Sequence, residues 1–193
     1  MAKISIAISG DPKADALLVR DPLALLIGML LDQQITMEWA FAAPAKLADR
    51  LGGKLDAGAI AAMPIDELET AFREKPALHR YPNSMAQRTQ QLCQALVDNY
   101  QGKPEQVWKK AKTGDELLER LQTLPGFGKE KSRIFLALLA KRLGIQPPGW
   151  EAASDPFSDN KFRSVADIDS PESLKKVREF KKAMKAAGKN KDG

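Results

Sequence analysis

The chain has 193 residues, 44% of them hydrophobic, which suits a single globular domain able to fold on its own. Its 30 Lys and Arg against 25 Asp and Glu leave a net charge of +5 that favours an anionic partner, while one cysteine, Cys93, and one histidine, His79, argue against disulfides and a structural metal. The longest apolar run, Leu23 to Leu31, falls well short of the roughly 20 residues of a membrane span, and without a secretory signal the expected setting is the reducing cytoplasm.

A strand signal is confined to Lys3–Ile8. Asp21-Pro22 then opens helical patterning, because proline is tolerated in a first turn, and two helices are predicted across the segment from Leu23 to Gly52. Between Asp56 and Arg73, Pro64 opens a further helix whose first turn is acidic, as the helix dipole prefers. PALHRYPN, residues 76–83, reads as a loop, after which Ser84 is expected to cap a helix with Met85, Leu92, Leu96 and Val97 on its buried stripe.

A short helix around Val107-Trp108 and another opened at Thr113-Gly114-Asp115 lead to Pro125-Gly126-Phe127-Gly128, and a helix ending at Gly144 follows. Residues 145–164 are rich in Pro, Ser, Asp and Gly and predict a long loop. Ser170-Pro171-Glu172 starts a last helix. From Lys175 to Lys191 it carries eight Lys and Arg against Glu179 alone. Two readings of this stretch stand at this point: a solvated helix face fading into a frayed tail, or a contact for the anionic partner.

The strongest motif is LQTLPGFGKEKS, residues 121–132. A glycine turn between two helices leaves backbone N–H groups free at the second helix's start, where the dipole also favours an anion, so the turn can grip a phosphate without reading sequence. Lys129 and Lys131 add charge beside Gly126 and Gly128. About ninety residues earlier, an apolar run ends in Asp32-Gln33-Gln34-Ile35-Thr36, whose amides can both donate and accept hydrogen bonds at base edges.

Together these two motifs resemble the helix-hairpin-helix (HhH-GPD) superfamily of base-excision DNA repair glycosylases, over roughly residues 20–150. The resemblance implies an all-α, helix-hairpin-helix glycosylase-like fold with two small lobes flanking a cleft, in one domain spanning 1–193 with a flexible basic tail at 185–193. It further implies a monomer that binds double-stranded DNA, has no membrane association, and uses neither metal nor organic cofactor. Gln33 and Gln34 would lie at the lesion, with Gly126, Gly128, Lys129 and Lys131 on the DNA backbone.

In the family's lyases an amine two residues after the hairpin's second glycine attacks the sugar. Glu130 stands there, so lyase activity is not expected. The family also places an aspartate about eighteen to twenty residues further on, to stabilise positive charge on the sugar. Counting from Glu130 reaches Pro148 to Trp150, which hold no carboxylate; Glu151 is the nearest candidate, followed by Asp155. Glu38, one helical turn after Gln34, is a third. Trp39 and Trp150 are candidates to stack on an extruded base, and His79 and Tyr81 to touch the DNA backbone. The reading these residues imply is a monofunctional glycosylase acting on a damaged, possibly alkylated, base. Two alternatives stay open: a DNA-binding relative without chemistry, and a protein-interaction domain.

Overall fold

The structure is a computed structural model that describes residues 4–188. Helix is the regular structure of those residues, with no strand among them. The strand expected at Lys3–Ile8 is therefore absent over residues 4–8, and Lys3 lies outside the described residues. Residues 4–7 have no regular structure, and the Ile8 and Ser9 amides are taken up by the Asp15 carboxylate at 3.2 and 2.9 Å.

Two consecutive Asp-Pro pairs start the fold. Asp11 caps α1 (Pro12–Arg20) and Asp21 caps α2 (Pro22–Leu31), its carboxylate accepting the Leu23 and Ala24 amides. Every residue of α2 from Leu23 to Leu31 is buried, so this helix is apolar all round and forms the centre of one half of the core. α3 (Met37–Arg50) packs on it so closely that a Cβ at Gly28 would stand 2.8 Å from the Phe41 ring. α4 (Ala57–Ala62) and α5 (Ile65–Arg73) then pack on α6 (Pro82–Tyr100). That helix starts at Pro82, two residues before the expected Ser84 cap, because proline is already set for a first turn. Cys93 lies in its buried stripe, and burial pushes the thiol up to about 12, which makes it a packing group.

α7 (Gln106–Lys109) precedes the hairpin pair α8 (Gly114–Gln122) and α9 (Lys129–Leu143). Residues Ile134 to Ala140 of α9 are all buried, and Phe135 meets Phe127 edge-on at 5.7 Å between ring centroids. The expected loop at 145–164 contains a short α10 (Trp150–Ala153), followed by a 3-10 turn, Val165–Asp167, that packs on α9. Lys141 of α9 is buried against Asp167 at 2.6 Å, which fixes this segment at the C-terminal end of the helix. α11 (Pro171–Ala186) closes the fold under a Ser170 cap, so helix continues past residue 185, where the tail was expected. Residues 189–193 of that tail lie outside the described residues. One contiguous apolar core joins α2, α3 and α6 to α8, α9 and α11. No helix among the described residues is long and apolar enough to cross a membrane.

Candidate nucleic-acid interface

The α8–α9 turn presents Gly126, Gly128 and Lys129 to solvent, while Leu124 and Phe127 point into the core. Gly128 is the N-cap of α9 and supplies no capping side chain, and the dipole of this 15-residue helix favours an anion at its start. The two glycines serve different ends. Gly126 has φ +83°, and a Cβ there would collide with the Leu30 side chain; Gly128 has φ −71° and open space around it. Gly126 therefore seats the turn on the end of α2, and Gly128 keeps the approach to the α9 amides clear.

The end of α2 is the start of the glutamine turn. Lys131 sends its ammonium to the Leu30 carbonyl at 3.0 Å, one of the acceptors that a helix C-terminus leaves without a partner in the helix. This lysine, expected on the DNA backbone, ties the hairpin to the glutamine turn. Gln33 turns its amide to Met85 Sδ at 3.2 Å, whereas Gln34 is exposed and held at φ +59°, a left-handed conformation uncommon for a residue with a Cβ.

His79 pins the same turn from the other side and is only 2% exposed. The Tyr81 amide donates to its Nδ1 at 3.0 Å, so Nε2 carries the hydrogen and donates to the Gln33 carbonyl at 2.9 Å. One neutral imidazole thus ties Gln34's turn to the loop that displays Tyr81, whose ring is 46% exposed with the Arg80 guanidinium 5.5 Å above it.

Beside the turn lies an open, apolar pocket of about 610 Å³ lined by Ile35, Thr36, Trp39, Pro76, His79 and Arg80, among others. Trp39 is 46% exposed, and its indole N–H is held by the Ala77 carbonyl at 3.1 Å, which fixes the ring as a wall. On the other side of Ile35 and Thr36, Glu38 forms an ion pair with Arg178 of α11, in a second pocket that Lys181 also lines.

The family profile described as HhH-GPD superfamily base excision DNA repair protein matches residues 27–188. The chain belongs to that superfamily. No curated protein matches it at the level that marks kinship. Membership implies a base-excision repair protein that binds DNA.

The structure separates the candidate carboxylates. Glu38 lies at the glutamine turn. Glu151 and Asp155 are exposed at the opposite end of the hairpin, where the Pro148 carbonyl accepts the Gly114 amide at 2.8 Å and a Cβ on Gly114 would stand 2.7 Å from Trp150 Cα. α8, nine residues long, separates that end from the turn by roughly 12 Å at 1.5 Å per residue. Trp150 goes with it: half-buried and packed against the core, it is remote from the Trp39 pocket.

Sequence reasoning gave His79 only a backbone contact and missed its link to Gln33, which spans 46 residues and leaves no local pattern. Burial lowers the His79 pKa below 6.5, with Lys131 and Arg88 pushing the same way and its backbone partners opposing. As pH falls the unfolded chain takes up this proton first. The stability His79 confers is thus complete above about pH 6.5 and is lost as pH drops from there through the folded-state value. Urea midpoints for the native protein and His79→Gln should converge between pH 7.5 and 5.5; a gap independent of pH in that window would contradict the neutral pin.

Proposed function

We propose that this protein hydrolyses the N-glycosidic bond of a damaged base in double-stranded DNA, an alkylated purine being the leading candidate, without lyase chemistry. The observation that carries the reading is the fusion of hairpin and glutamine turn: Gly126 seated on Leu30, and Lys131 holding the Leu30 carbonyl. A phosphate gripped at the α9 amides is then in rigid register with Gln34.

Ile35 and Thr36 line both pockets. A nucleotide laid across the glutamine turn would set its base against Trp39 and its sugar towards Glu38. The apolar wall accepts a planar base removed from the stack, and a carboxylate held by Arg178 suits the stabilisation of an oxocarbenium-like sugar as the base leaves and water adds. Position at the turn favours Glu38 over Glu151 and Asp155 for this role. The Lys131 ammonium is engaged with a carbonyl and Glu130 stands at the lyase position, so no Schiff base with C1′ is expected.

The test is release of free base from alkylated duplex DNA, with borohydride added in parallel. Base should be released and no covalent adduct trapped; an adduct mapped to Lys129 or Lys131 would overturn the monofunctional assignment. A second reading, a DNA-binding relative without chemistry, draws support from the missing carboxylate at Pro148 to Trp150, and it predicts DNA binding with no base released from any lesion.

A further inference from the structure

We propose that α11 is a phosphate-tracking arm, on which Lys175, Arg178, Lys181, Lys182 and Lys185 continue the DNA contact outward from the glutamine turn along the duplex backbone. This rests on the DNA-binding reading above and assigns it a surface that the hairpin does not supply. At about 100° per residue these five positions fall within roughly a third of the helix circumference. Ser173 and Val177 are buried on the neighbouring face, and the buried Leu174 falls inside the sector itself, so the first turn of the sector rests on the protein. Past Leu174 this sector, the cationic stripe, carries no buried residue, with Arg178, Lys182 and Lys185 exposed along it and Lys181 half-buried.

Its position ties it to the site. Arg178 pairs with Glu38, and Lys181 lines the same pocket as Ile35 and Thr36, so the stripe begins beside Gln34. Glu179 lies at its margin, 4.0 Å from Lys175, and is the sole acid of the helix after its first turn. From Lys175 to Lys185 the helix rises about 15 Å, and at 3.4 Å of rise per phosphate on one strand that length runs beside about four phosphates. An even stripe without aromatic or amide side chains suits a backbone contact that carries no sequence information.

The experiment is the salt dependence of affinity for a labelled duplex, measured for the native chain, Lys182→Gln/Lys185→Gln, and a control of equal charge, Lys54→Gln/Lys103→Gln. The control lysines are exposed just beyond the C-terminal ends of α3 and α6, away from the glutamine turn. Each phosphate contact contributes about 0.9 to the slope of log affinity against log salt. The stripe variant should lower the slope by about 1–2 with the circular dichroism spectrum unchanged, and the control should leave it as it is. A steep native slope that the stripe variant does not reduce, or that the control reduces equally, overturns the arm alone. A native protein with no salt-dependent binding overturns the DNA reading and the arm with it.

Discussion

Glu38→Gln is expected to lower base release by about 10²–10³-fold, or about 3–4 kcal/mol of transition-state stabilisation, while duplex DNA remains bound. The amide keeps the size of the side chain and can still accept a hydrogen bond from Arg178, but it cannot offset positive charge on the sugar. Unfolding would not account for such a loss. The Glu38–Arg178 pair is largely solvated on the arginine side, with Arg178 58% exposed, and pairs of that kind contribute at most about 1 kcal/mol. Glu151→Gln and Asp155→Asn serve as the comparison and should release base at the native rate, since both residues sit at the far end of α8. Full activity in Glu38→Gln beside a dead Glu151→Gln would return the catalyst to the α10 segment.

The contrast between those carboxylates marks where the sequence stops being informative. Helices with local signals were legible: the Asp21-Pro22 start, the acidic turn after Pro64, Gly144 at the end of α9 and the Ser170-Pro171 start all stand in the structure. α1 went unread although Asp11-Pro12 repeats the Asp21-Pro22 signal. The hairpin was legible because its turn is local and Gly126 is fixed by its positive φ. Spacing along the chain, by contrast, does not report where a carboxylate lies in space. It counts residues from Glu130 through a segment that, anchored by Lys141 to Asp167 and by Arg142 to Asp169, stays at the C-terminal end of α9. The partners of the glutamine turn, Lys131 and His79, are 101 and 46 residues from their acceptors, and no periodicity reports contacts of that range. Trp39 and Trp150 looked equivalent as residues; one is a fixed, half-exposed wall and the other lies against the core.

Single alanines at the two hairpin glycines should part company. Gly126→Ala forces a Cβ into a positive-φ backbone, which costs about 1–2 kcal/mol, and drives it against Leu30, adding about 1–3 kcal/mol of overpacking. At about 2–4 °C per kcal/mol for a chain of this size, the melting temperature should fall by about 4–20 °C. Gly128→Ala meets neither obstacle, since φ is −71° and nothing lies within 4 Å of the new methyl, so its cost is limited to about 1 kcal/mol for a poorer N-cap. Its effect belongs to the ligand. A methyl over the first amides of α9 excludes the phosphate, and losing hydrogen bonds to a charged group, worth about 1.5–3 kcal/mol, should weaken duplex binding by about 10–100-fold. Thermal melting and fluorescence anisotropy on both variants separate the two roles. Native melting in Gly126→Ala would mean that the turn is not seated on Leu30, and native affinity in Gly128→Ala would mean that the phosphate is gripped elsewhere.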